Sequence, residues 1–187
     1  GLKLVVAGAV VVKGIYVTGA YCSIVGNEIV QATGASNKAT ILLETDTGAD
    51  NFLLADNWIY GTATHNSTNG ILITAATSQT RIVRNVMEFS VTAANGNIHF
   101  VGASLNNYVA DNDLANTHTS SSACILADAT ASTGLICRNN LSTLVGTGTA
   151  PAAAGIVLTA NCLMRAFENF SCPTAALSGD IAPARDT

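Results

Sequence analysis

Short runs in which apolar and polar residues alternate recur along the chain, and each closes on an asparagine. They cover residues 23–29, 53–59, 81–87, 108–114, 135–141 and, more weakly, 165–171. The anchoring residues Asn27, Asn57, Asn85, Asn112, Asn139 and Asn169 are 30, 28, 27, 27 and 30 residues apart. Such a period belongs to stacked solenoids, in which one repeat cannot bury its apolar face alone. Upstream of each run lies a second apolar stretch: 14–17, 40–43, 70–73, 97–100, 123–126 and 155–158. Each coil therefore supplies at least two strands, with alternate side chains directed into a shared interior.

No segment carries a sustained helical period. Connections that return to equivalent positions make the strands parallel. The expected fold is all-β: a single-stranded parallel β-helix of about six coils of 27–30 residues over residues 1–172. Rungs stack at about 4.8 Å, and right-handed crossover is the general preference. A leucine-rich repeat shares part of the asparagine pattern. Its leading leucine is missing here, since the fifth position before the asparagine holds Cys22, Phe52, Thr80, Asn107, Gly134 and Met164. Lengths vary most at 33–37, 62–69, 92–96, 116–122 and 143–154, where function is most easily grafted. Residues 173–187, with Pro173 and Pro183, read as a C-terminal cap or arm. The chain opens directly into the strand-like Leu2 to Val6 without a polar cap. Either it is a segment of a longer protein or another chain covers that end.

Repeated positions have readable roles. The six asparagines stack at one corner as a structural ladder that satisfies backbone groups left open by the strand break. The preceding residues run Gly26, Asp56, Arg84, Asp111, Arg138 and Glu168, so charge alternates in sign along the stack. This is a surface charge ladder that penalises a slipped rung. The following residues, Glu28, Trp58, Val86, Asp113, Asn140 and Phe170, should face outward. Trp58 with Tyr60 is a candidate contact for a partner subunit or a glycan.

Composition narrows the function classes. With 49% hydrophobic residues the interior is well supplied, while charged residues are only 11%, against roughly 25% in ordinary domains. The wet surface must be built from Thr, Ser, Asn and Gly, which suits solenoid turns. A net charge of −4 with eight scattered basic residues argues against a nucleic-acid surface. The apolar stretch Leu4 to Val12 is too short for a membrane span and reads as strand. Cys22, Cys124, Cys137, Cys162 and Cys172 show no metal-ligand spacing, and their odd number suits a reducing assembly compartment. Cys162 and Cys172 flank the last coil and could be bridged, but a reducing compartment is the plainer reading.

Catalytic constellations are weak. Glu44 and Asp46 form the best local carboxylate pair, and Asp50 is near enough in sequence to complete a Ca²⁺ site. A solvated strand end explains the same residues. Glu28 and Asp113 share a column but lie three rungs apart, about 14 Å, too far for paired-acid chemistry. His65, His99 and His118 fall in three coils with no nucleophile beside them, so neither a triad nor a zinc site is expected, and nothing calls for a cofactor. Sequons at Asn66, Asn140 and Asn169 are explained by the abundance of Asn, Ser and Thr.

The strand at Gly14-Ile15-Tyr16-Val17 and the corner Ile24-Val25-Gly26-Asn27-Glu28-Ile29 resemble right-handed parallel β-helix proteins of the pectate-lyase-like architecture. More narrowly, the Ala/Thr/Asn-rich, charge-poor coils look like β-helical virion proteins of tailed bacteriophages. Pectate-lyase activity is not implied, because the calcium-binding aspartates and basic catalytic residue have no match here. The phage resemblance implies a homotrimeric capsid decoration, appendage or fibre module, assembled in the host cytoplasm with other virion proteins. The alternative is a glycan-binding or glycan-cleaving receptor module with a lateral groove near Trp58, Tyr60, Glu44 and Asp46.

Overall fold

The computed structural model describes residues 1–6, 11–31, 39–61, 68–74, 76–89, 95–116, 123–128, 131–142, 154–159 and 162–171. These residues are all-β, without a helix, and none of their segments is a helix able to cross a membrane. Three parallel sheets stack as a β-solenoid, with seven strands in one sheet and six in each of the others.

Each coil contributes three strands. Sheet I holds Val11–Val17, Ala39–Thr45, Asn69–Ile73, Gly96–Phe100, Ala123–Ala127 and Ala154–Leu158. Sheet II holds the strands before the asparagines: Ser23–Val25, Leu53–Ala55, Arg81–Val83, Asn107–Ala110, Thr133–Cys137 and Leu163–Phe167. Sheet III holds the strands after them: Glu28–Gln31, Trp58–Tyr60, Val86–Phe89, Asp113–Asn116, Asn140–Ser142 and Phe170–Ser171, with Lys3–Val6 added at one end. The third strand lies where the sequence suggests only a corner and outward residues. It was hidden because the asparagine run reads as one alternating stretch, whereas a bend divides it. Asn69, Gly96, Asn116 and Ala154, placed in variable segments by their composition, belong to strands. The apolar stretch 4–12 supplies strands at Lys3–Val6 and Val11–Val17.

Inward columns follow the register. In sheet II, Ile24, Leu54, Ile82, Val109 and Ile136 stack on one another. In sheet III the column is Ile29, Ile59, Met87, Leu114 and Leu141. In sheet I, Leu43, Ile71, Ile98, Ile125 and Ile156 form the third wall. These side chains make one buried core, to which Phe52 and Phe100 also belong and against which Ile24 packs partly buried. β-Branched and leucine side chains suit a pleated surface buried on its inner face, which is why the same types recur at each level.

Two columns of bends turn the chain. The residue before each ladder asparagine is left-handed: Gly26, Asp56, Arg84, Asp111, Arg138 and Glu168 have φ between 52° and 69°. A second left-handed column, Tyr21, Asn51, Gln79 and Asn106, with φ between 56° and 60°, separates sheet I from sheet II, and Ala131, at φ 64°, makes a left-handed bend two residues earlier in the next coil. Each single residue of this kind redirects the backbone without a long loop. His65, His118, Asn66, Cys172, the segment 173–187 and most of the variable segments lie outside the described residues.

Candidate functional site

The asparagine corner is a continuous hydrogen-bond ladder. Asn57 Nδ2 donates to Ala55 O in its own turn and to Ile24 O of the preceding coil, both at 2.9 Å. Its Oδ1 accepts the Asn27 backbone N–H at 2.9 Å. The pattern repeats through Asn85, Asn112, Asn139 and Asn169. Asn57, Asn85, Asn112 and Asn139 are buried. An amide has both a donor and an acceptor group, so it can serve the backbone on both sides of the rung.

Beside this corner the charges form discrete pairs. Arg84 grips Asp56 through Nε and Nη2 at 2.7 and 2.8 Å, and Arg138 grips Asp111 at 2.8 and 2.9 Å. Hydrogen bonds from the guanidiniums hold the Asp56 and Asp111 carboxyls below their ordinary range. Among the described residues Glu168 makes no such pair. Arg138 also donates to Tyr108 Oη at 2.8 Å and lies 3.5 Å from Cys137 Sγ. Small side chains at Ala55, Val83, Ala110 and Cys137 form a second apolar cluster on this outer face, with Leu53 and Tyr108 packed against it.

The carboxylates singled out as a candidate pair are each held by the neighbouring coil. Glu44 is buried, and Lys13 Nζ stands 2.8 Å from its Oε1. Lys13 also lies over the Tyr16 ring, 3.7 Å from its centroid. Tyr16 Oη donates to Asp46, which further accepts the Thr47 N–H at 2.7 Å. Those bonds lower the Asp46 pKa and raise that of Tyr16. Asp50 Oδ1 accepts the Ser78 N–H and Oγ–H at 2.7 and 2.8 Å. No group of three metal-ligating side chains occurs among the described residues.

Trp58 and Tyr60 sit on sheet III with ring centroids 4.9 Å apart, and Trp58 is exposed. Tyr60 Oη donates to Glu28 Oε1 at 2.5 Å, and Lys3 Nζ reaches the same oxygen at 2.7 Å. Glu44 belongs to sheet I and these aromatic residues to sheet III, so the four side chains of the expected lateral groove start from different sheets. Asn140 Nδ2 donates to Asp113 Oδ1 at 3.2 Å. His99, on sheet I, is buried, with Nδ1 2.8 Å from Asn69 Oδ1 and Nε2 3.2 Å from Asp128 Oδ1. Asn69 Oδ1 and the Asp128 carboxylate are both acceptors, so the neutral ring can donate to only one of them. Burial depresses the His99 pKa, and Asp128 opposes the effect. Cys22, Cys124, Cys137 and Cys162 are free thiols.

A groove that the sequence did not suggest runs across the outer face of sheet II. Its volume is about 940 Å³. The floor is one register column, Leu53, Arg81, Tyr108, Leu135 and Arg165, contributed by successive rungs. One rim is the left-handed column Asn51, Gln79 and Asn106. Gly134 lies close against the neighbouring rung, where a Cβ would stand 2.3 Å from Asn107 O. The signal was present at the fourth position before each asparagine, but the residue types there differ so much that no motif stands out.

Compared with known proteins, the chain matches no protein family, no curated protein and no solved structure.

Proposed function

We propose that the chain is a non-catalytic structural component of a bacteriophage virion: a capsid decoration, appendage or fibre module that assembles as a homotrimer with other virion proteins. The observation that carries the structural part is where its polar chemistry goes. The ladder amides, Glu44, Asp46, Asp50 and the Asp56 and Asp111 pairs all bond to an adjacent coil. Side chains used this way fix register and stiffness along the stack, which is what a presenting scaffold needs. The virion placement is supported by the resemblance of the Ala/Thr/Asn-rich coils to phage β-helices, and trimerisation by the same resemblance.

Native mass measurement of the purified chain tests the assembly, and incubation with bacterial polysaccharides tests the absence of catalysis. A trimer that releases no reducing sugar is expected. A monomer, or sugar release abolished by Glu44→Gln, overturns the proposal.

A further inference from the structure

We infer that the groove on the outer face of sheet II binds an acidic, linear oligosaccharide. Two of the chain's eight basic residues, Arg81 and Arg165, line it, and no carboxylate does. In a chain of net charge −4, this is a local reversal of sign. Both arginines are exposed, and among the described residues neither has an ion-pair partner, in contrast to Arg84 and Arg138 on the adjoining column. They are three rungs apart, about 14 Å, which suits acidic groups spaced along a run of sugar rings.

The surface between them fits sugar rather than other polyanions. Tyr108 and Leu135 offer apolar faces, and Tyr108 is held in place by its bond to Arg138. The side-chain amides of Asn51, Gln79 and Asn106 on the rim make no bond to the protein among the described residues, so their donors and acceptors remain available for hydroxyl groups. Duplex DNA carries a charge about every 1.7 Å, far denser than two cations can match. A peptide adding as a strand would lie along the open side of Leu163–Phe167, the last strand of the sheet, rather than run across the rungs, and the strands between it and Leu53–Ala55 are paired on both sides. Recognition must come from side chains, and those present pair a few cations with many neutral hydrogen-bonding groups.

The inference is independent of the virion placement, since a groove that binds nothing leaves the assembly result unchanged. Calorimetric titration of the full chain with hexagalacturonate, maltohexaose, hexaglutamate and oligothymidylate tests it. Hexagalacturonate should bind, weaken with added salt, and exceed each of the other probes by about tenfold or more. Arg81→Gln combined with Arg165→Gln should lower its affinity by about tenfold or more. Lys3→Gln, which removes a positive charge from sheet III, should leave it unchanged. Amide resonances of Asn51, Gln79 and Asn106 should shift on titration of the unmodified chain, which tests the location even if the double variant folds poorly. Failure of hexagalacturonate to bind, equal binding of any other probe, retention of affinity by a folded double variant, equal loss with Lys3→Gln, or shifts confined to other faces overturns the inference.

Discussion

Asn85 donates twice to a single atom of Asn112: its backbone N–H lies 2.9 Å and its Nδ2 3.0 Å from Asn112 Oδ1. Asn112 Nδ2 in turn donates to Ile82 O and to Asn139 Oδ1, both at 2.9 Å. Removing this one side chain takes away the acceptor of the Asn85 N–H and a donor to Ile82 O, both in the adjoining coil and at a buried site, while Asn139 Oδ1 keeps the Asn112 N–H. A buried polar group without a partner costs about 1–3 kcal/mol. Asn112→Ala should therefore lower the unfolding free energy by about 1–3 kcal/mol. Asn27→Ala, at a partly exposed end of the ladder, should cost clearly less. Urea unfolding of both variants measures the difference, and equal losses would show that the ladder's interior carries no special weight.

The bends between sheets I and II depend on backbone conformation more than on any side chain. Ala131, at φ 64°, occupies a left-handed position that costs an L-residue about 1–2 kcal/mol. Ala131→Gly relieves that cost while increasing the entropy of the unfolded chain, so it should be neutral or stabilising by up to about 1 kcal/mol. Ala131→Val adds a β-branched side chain at positive φ and should be destabilising. Thermal melts of the pair should move in opposite directions, or the glycine variant should hold steady while valine falls. A drop with glycine as large as with valine would argue against bend strain at this corner.

These two columns also explain which parts of the fold were legible in the sequence. The asparagine corner was readable because one residue type meets the same chemical need on every rung. The charge column was readable for a similar reason, and it resolves into the pairs Asp56–Arg84 and Asp111–Arg138. Tyr21, Asn51, Gln79, Asn106 and Ala131 share a backbone angle but no side-chain chemistry, so that corner left no residue signature. The third strand was concealed because the bend before each asparagine divides what reads as one alternating run. The groove was concealed because a binding column needs unlike residues at equivalent positions: Arg81 and Arg165 are informative through their spacing across rungs, with Tyr108 and Leu135 between them.

Thiol chemistry distinguishes the interior from the corners. Cys124 is fully buried, and burial pushes its thiol up to about 12. Cys137 is also buried, on the outer face of sheet II beside Arg138. Cys22 is only partly covered. Since the thiolate is the reactive form and access is also required, iodoacetamide at pH 8 should modify Cys22 in the native protein while sparing Cys124 and Cys137. Denaturant should expose all of them. Peptide mapping by mass spectrometry reads the result, and native labelling of Cys124 on the timescale of Cys22 would contradict the dry interior assigned to sheet I.

The pH dependence of stability should carry the mark of His99. Its ring lies between Leu72 and Leu126 in the outward column of sheet I and is buried there. Burial lowers its folded pKa below the ordinary 6.5. Between those two values the unfolded chain binds the proton more readily than the folded one, so acidification favours unfolding. Stability is fully present above about pH 6.5 and declines as pH falls through the folded pKa. The depressed carboxyls Glu28, Asp46, Asp56 and Asp111 have ordinary values of 4.5 and 3.8, so their loss belongs to a more acidic window. His99→Leu continues the leucine column and removes the titrating group, although it deprives Asn69 Oδ1 of the Nδ1 contact and leaves only the 3.4 Å bond from the Gly96 N–H. That loss shifts the variant's baseline but carries no proton, so between about pH 6.5 and 5 its urea midpoint should be flat where that of the parent declines. The same slope in both proteins would assign the acid sensitivity to a different group.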